Sequence, residues 1–246
     1  MCRLCTSSAP LASRRRFLGQ LAAGLAASSL SLWPSRIQAA VPTVGWARLV
    51  TPSRYWNLHG EQDPIVARYI QRETHLGMEP RAYSVDPGSL EQLSGFPFLF
   101  TNDLTAITDP RALANVREYL QRGGFLYIDG CVDHRLTRDF GTFLAEHGAL
   151  FGSLVPGCEL RQLMPTHPIF RSYAPVKEVQ LGLEPAGGPD RRWARAPQAL
   201  YGIQVKDRLA AVVSLDHLFC EWLTKPEKVA FCLKEIANIY VYAMTR

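Results

Sequence analysis

The chain has 246 residues, of which 47% are hydrophobic and 20% charged, a balance that excludes a disordered or fibrous polymer and supplies enough apolar surface for one sizeable core. The formal charge of +5 points first to nucleic acid, but residues 1 to 40 hold Arg3, Arg14, Arg15, Arg16 and Arg36 and no acidic residue, which leaves 22 basic against 22 acidic side chains in the remainder. A neutral domain has no field with which to hold a polyanion, so nucleic acid is not the expected partner.

The first 40 residues read as a targeting segment. Residues 13 to 19 are S-R-R-R-F-L-G, the apolar run Gln20 to Trp33 follows, and Ile37-Gln38-Ala39-Ala40 supplies small residues for cleavage; that is the order of a signal peptide. The apolar run contains Ser28, Ser29 and Ser31 and falls short of the roughly 20 residues that span a bilayer as a helix. No stable membrane span is therefore expected after cleavage. The paired arginines before Phe17-Leu18 resemble the twin-arginine consensus, which implies the twin-arginine translocase as a partner during export, folding before export, and a periplasmic or otherwise exported domain from residue 41 to 246. Cys2 and Cys5 have C-x-x-C spacing with no second pair to match and are read as incidental. Cys131, Cys158, Cys220 and Cys232 allow three disulfide pairings in an oxidising compartment, and spacing does not choose among them.

In chain order, residues 45 to 50 suit a strand. Asp63-Pro64 then opens a helix with a cap and a first-turn proline, Ile65, Val66, Tyr69 and Ile70 lining one face and Gly77 stopping it. A strand near Arg81 to Val85, a helical turn from Ser89 to Leu93 and the apolar run Phe96 to Phe100 come next. Asp109-Pro110 repeats the cap-and-proline start for a helix through Leu120, Gly123-Gly124 ends it, and Phe125 to Ile128 is again a strand. Leu200 to Gln204 and Leu209 to Leu215 flank a hairpin-type turn at Lys206-Asp207, and a long amphipathic helix closes the chain from about Glu227 to Met244. The stretch Pro185 to Pro197 reads as a loop. Strands apolar on both faces and alternating with helices predict an α/β domain with a mostly parallel sheet covered by helices.

In such sheets ligands bind beyond the carboxyl ends of the strands. The candidates are therefore Tyr55, Trp56, Asn57 and His59 after the first strand, Asn102 and Asp103 after the strand at 96 to 100, Asp129, Cys131, Asp133 and His134 after the next, and Asp216, His217, Glu221 and Trp222 after the strand at 209 to 215. Asp129-Gly130-Cys131 places a thiol on a tight turn as a nucleophile elbow does, and a helix N-terminus there would favour the thiolate. His217 and Glu221 could then serve as base and orienter. Asp129, Asp133, His134 and Asp216 could alternatively offer oxygen and nitrogen ligands to a metal. His167 is expected to tie down the turn before Pro168, and His75, two residues before Gly77, and His147, next to Gly148, to sit at helix C-termini.

From Trp46 to Thr245 the chain resembles the bacterial domain of unknown function 4159 family. The likeness lies in W-A-R-L-V, Tyr55-Trp56-Asn57, Asp63-Pro64, F-P-F-L-F-T-N, L-Q-R-G-G-F-L-Y-I-D-G-C, T-H-P-I-F, Glu221-Trp222 and N-I-Y-V-Y-A-M-T. The resemblance implies a flavodoxin-like, class I glutamine amidotransferase-like three-layer fold. Those enzymes use G-x-C-x-G with a later H-P-E; here the turn reads Asp129-Gly130-Cys131-Val132-Asp133 and the later segment His217-Leu218-Phe219-Cys220-Glu221. The resemblance therefore implies a fold and a site location but no reaction. Three readings follow: an exported domain binding a small molecule, glycan or protein partner with Trp56 and Trp222 as aromatic walls, a cysteine-dependent hydrolase or transferase built on Cys131, and a metal-dependent hydrolase. No motif names a cofactor.

Overall fold

The computed structural model describes residues 44–54, 56–74, 76–130, 140–175, 200–214 and 229–246. One seven-stranded sheet runs through them, with strands β1 (Trp46–Leu49), β2 (Ala82–Val85), β3 (Phe98–Thr101), β4 (Phe125–Asp129), β5 (Arg161–Gln162), β6 (Leu200–Val205) and β7 (Arg208–Ser214) in the order β2-β1-β3-β4-β7-β6-β5. The five strands from β2 to β7 are parallel, and β6 and β5 extend the sheet antiparallel. The helices are α1 (Asp63–Thr74), α2 (Leu90–Ser94), α3 (Pro110–Gln121), α4 (Phe140–Leu154) and α5 (Val229–Thr245). The sequence expectation of an α/β domain with a mostly parallel sheet holds.

Strand periodicity divides the core in two, because successive side chains point to opposite faces. On one face Trp46, Phe98, Phe100, Phe125, Tyr127 and Val212 pack against Val66, Ala67 and Ile70 of α1 and against Cys232, Ile236, Ile239, Tyr240 and Ala243 of α5. On the other, Ala47, Leu49, Leu99, Leu126, Ile128 and Val213 pack against Leu93 of α2, Val116, Tyr119 and Leu120 of α3, and Phe151 of α4. The first face is aromatic: Trp46 lies 5.2 Å from both Phe98 and Phe100, and Phe98 4.9 Å from Tyr240, in tilted arrangements that favour ring edges over faces. The second is largely aliphatic.

Local signals explain most element ends. Asp109 caps α3 by accepting from the Arg111 and Ala112 amides, and Ser89 caps α2 from Gln92, each satisfying an amide that the helix leaves orphaned. Gly123 has φ 110°, a left-handed turn that suits glycine. Gly124 is required for a different reason: a Cβ there would fall 2.2 Å from the Tyr119 ring, whose hydroxyl accepts from the Phe125 amide at 3.1 Å and donates to the Phe125 carbonyl at 3.0 Å. Tyr119 thus clamps the start of β4 onto α3.

Two expectations need correction. Ile65 is 38% exposed; the inner face of α1 is Asp63, Val66, Ala67 and Ile70, so a charged residue takes the place given to an apolar one. His147 is not at a helix C-terminus. The helix continues through Gly148 to Leu154, and His147 is fully buried with Nδ1 2.8 Å from the Phe143 carbonyl and Nε2 accepting from the Leu104 amide at 3.3 Å. A glycine within a well-packed helix interrupts nothing when tertiary burial outweighs its propensity of about 1 kcal/mol. The expected loop Pro185 to Pro197, His75, and the start of the last helix before Val229 lie outside the described residues.

Candidate functional site

On the α1/α5 face the aromatic row gives way to a polar one at the carboxyl ends of the strands. Two residues beyond Trp46 stands Arg48, two beyond Phe100 stands Asn102, two beyond Tyr127 stands Asp129, and two beyond Val212 stands Ser214, so strand alternation puts all four on the same side of the sheet. All are buried. Four neighbouring parallel strands therefore finish with a polar side chain beneath the helices, where an unpaired polar group would be expensive.

Arg48 organises one half of this row. Its Nε and Nη2 donate to the two carboxylate oxygens of Asp63 at 2.7 and 2.6 Å, and its Nη1 donates to Asn102 Oδ1 at 2.7 Å and to the Trp56 carbonyl at 3.1 Å. The guanidinium carbon lies 4.6 Å from the Phe100 ring centre. This bidentate fork is the strong geometry for an arginine–carboxylate pair. Burial raises the Asp63 carboxyl above its ordinary value, while the hydrogen bonds and charge of Arg48 act in the opposite sense. One guanidinium thus joins β1, the loop after it, the first turn of α1 and the end of β3. Sequence reading made Asp63 a helix cap; both its oxygens instead take Arg48, which only the tertiary pairing of β1 with α1 could reveal.

The other half is acidic. Asn102 Nδ2 lies 3.4 Å from the Asp129 carbonyl, and the Gly130 amide donates to the Ser214 carbonyl at 2.9 Å, so β4 leaves the sheet under tight constraint. A Cβ on Gly130 would meet the Phe143 ring at 3.1 Å and the Ser214 carbonyl at 3.2 Å. Glu235 of α5, 1% exposed, is pushed up to about 8 first by burial and then by the charge of Asp129. Glu235 was missed in the sequence. The signal was present, since Cys232, Ile236 and Ile239 mark the inner face of α5 and residue 235 falls among them at helical spacing.

Of the residues expected at the site, Asn102 and Asp129 are brought together within this row, and Trp56 joins it through its carbonyl. Trp56 itself is half-buried and Asn57 exposed. They lie on a constrained loop: His59 has φ 56°, a left-handed value uncommon for a residue with a side chain, and a Cβ on Gly60 would collide with the Asn57 side chain. Asp103 points elsewhere, its Oδ1 accepting from the Thr105 amide at 2.9 Å and hydroxyl at 2.6 Å, a turn role. His167 caps the 3-10 turn Pro168–Arg171 by accepting from the Ile169 amide, as expected. Tyr55, Cys131, Asp133, His134, Asp216, His217, Glu221 and Trp222 lie outside the described residues, and with them the nucleophile–base–orienter arrangement and three of the four metal-ligand candidates. Among the described residues no group of three or more His, Cys, Asp or Glu could hold a metal ion, and no helix is long and apolar enough to cross a membrane.

The class these features define is an α/β domain with a mostly parallel sheet and a buried polar row at its strand ends. Residues 46–244 match the family model described as Domain of unknown function (DUF4159), and the chain belongs to that family. No curated protein matches it.

Proposed function

We propose that this is an exported, flavodoxin-like binding domain whose cleft lies at the carboxyl ends of the parallel strands, and that it holds a small molecule, a glycan or a protein segment there. The observation that carries this reading is the Arg48–Asp63–Asn102 network. The chain runs from β1 to β2 on one side and then to β3 on the other, so the ends of β1 and β3 flank the point where the strand order reverses, the usual ligand crevice of open α/β sheets. Arg48 and Asn102 bridge that point with a 2.7 Å hydrogen bond. A buried ion pair contributes little net stability compared with apolar residues of the same size, so its presence here is better explained by a need to hold the Trp56 loop in one geometry. The order β2-β1-β3-β4-β7 supports the flavodoxin-like arrangement, and the paired arginines with the small-residue site at Ala39-Ala40 support twin-arginine export.

The test is thermal-shift screening against metabolite and glycan panels, repeated with Trp56→Ala. A true ligand should lose about tenfold in affinity, or ~1.4 kcal/mol, with the melting temperature of the free protein little changed; a panel hit insensitive to Trp56→Ala would argue against this cleft. Export is tested separately by replacing Arg14, Arg15 and Arg16 with Lys in a periplasmic reporter fusion, which should retain the protein in the cytoplasm.

The crowded exit of β4 at Gly130 favours a second reading, cysteine chemistry at the adjacent Cys131. Selective iodoacetamide labelling of Cys131, absent in Cys131→Ser, with an apparent pKa well below ~8.5 would support a nucleophile. A silent or disulfide-bound Cys131 would remove that reading.

A further inference from the structure

We infer that the ligand of the strand-end cleft is a neutral, polyhydroxylated ring, a carbohydrate, stacked on Trp56 and hydrogen-bonded by Asn57. The inference rests on the proposed reading of that cleft as the binding site and adds the chemical class of what it takes.

The backbone of Trp56 is fully committed: its amide donates to the Ser53 carbonyl at 3.0 Å, and its carbonyl accepts from Arg48 at 3.1 Å. Its side chain is not. Half-buried, the indole packs against neither face of the core, and among the described residues it has no hydrogen-bond, ring or cation partner. Trp46 is the contrast, fully buried and flanked by Phe98, Phe100 and Tyr240. A tryptophan with a pinned backbone and an unused ring is a platform already ordered before a ligand arrives.

The neighbouring groups define what that platform takes. Asn57 is exposed, yet its side chain lies against Gly60, where a Cβ would collide with it, so the carboxamide is held in place one residue from the indole. A carboxamide presents an acceptor oxygen and donor N–H groups side by side, which matches two adjacent hydroxyls, each both donor and acceptor. The cations of this loop are already engaged, Arg48 by Asp63 and Asn102, and Arg54 by a partner of its own. Glu61, a few residues on, is exposed and acidic, which disfavours a phosphate or carboxylate ligand. An aromatic face beside an uncharged donor and acceptor pair suits the C–H face and hydroxyl rim of a sugar.

The experiment is saturation-transfer NMR on the full chain, with cellopentaose, maltopentaose and penta-N-acetylchitopentaose as probes. The expected result is saturable binding of at least one of them, with saturation concentrated on the C–H protons of one ring face. Affinity should be unchanged between about 50 and about 500 mM sodium chloride, because a neutral ligand leaves salt no charge to screen. Trp56→Ala should weaken binding about tenfold and Trp56→Phe should recover most of that loss, while Asn57→Ala should weaken it about threefold; circular dichroism checks that each variant folds. No saturable binding of any of the three probes overturns the carbohydrate class. Should an ammonium compound or a peptide instead bind in a Trp56-dependent way, with affinity that falls as salt rises, the cleft stands and the class assigned to its ligand is wrong. Saccharide binding indifferent to Trp56→Ala overturns both the class and the cleft.

Discussion

The two ends of the sheet differ in kind. Where the parallel strands finish, the described chain packs Arg48, Asp63, Asn102, Asp129, Ser214 and Glu235 out of solvent and ties a strained loop to them. Where the strands begin, a groove of about 900 Å3 opens between the loop after α4, β5 and the β6–β7 turn, lined by Cys158, Met164, His167 and Lys206 among others. Its polar groups serve the backbone: the Cys158 thiol donates to the Gln204 carbonyl at 2.8 Å and His167 caps a turn. One end has open volume, and the other has buried charge committed to precise geometry. Open volume at a sheet edge needs no compensation, whereas buried charge must be offset residue by residue; the second is the stronger indication of function.

The sharpest way to break this comparison is to remove one partner of the ion pair. Arg48→Met or Asp63→Leu should each cost about 3–5 kcal/mol, because the remaining charge or its partners stay buried. Arg48→Met combined with Asp63→Leu should cost less than the larger single change. Urea denaturation of the four proteins checks this; a double variant as unstable as the sum of the singles would contradict the assigned pairing. Next in size, Gly130→Ala should cost about 1–3 kcal/mol through overpacking against Phe143 and the Ser214 carbonyl. At the opposite end Tyr119→Phe should cost about 1 kcal/mol by removing the hydroxyl's bonds to the Phe125 amide and carbonyl, the amide keeping the Pro97 carbonyl as an acceptor, and should leave any ligand affinity unaltered, whereas Gly130→Ala should not.

The smallest expected effect concerns His167 in the groove. Burial holds its imidazole below the ordinary histidine value, so the unfolded chain takes up the proton first as pH falls. The stability this contributes is fully present above about pH 6.5 and is lost as pH drops from there through the lowered value. Thermal melts between pH 5 and 8 should show that slope in wild type and a shallower one in His167→Asn, which retains a cap acceptor. Equal slopes would remove His167 from the account.

How far these distinctions can be read from sequence depends on how local their causes are. Asp109-Pro110, Ser89 and Gly123-Gly124 act within a turn or two of themselves, and they locate α3, α2 and the entry to β4. The apolar runs at 96 to 100 and 125 to 128 locate β3 and β4, and their burial on both faces already implies covering helices. Asn102 and Asp129 were found because strand ends are where ligands bind. Arg48 and Asp63 were not, since their partnership spans 15 residues and that of Arg48 with Asn102 spans 54, separations about which neither periodicity nor capping rules carry information. His147 misled because Gly148 resembles a helix stop, and only the Leu104 amide, 43 residues away, explains why the helix continues. Glu235 lay within an otherwise apolar helical stripe, and a charged residue there was the available warning.

The most direct test of the claim that function resides at the strand ends is a crystallographic fragment screen of the compact unit Val41–Arg246. Bound fragments should cluster around Trp56 and Asn102, over the ends of β1 and β3. Fragments gathered in the groove beside Cys158, Met164 and His167, with the strand ends empty, would contradict it.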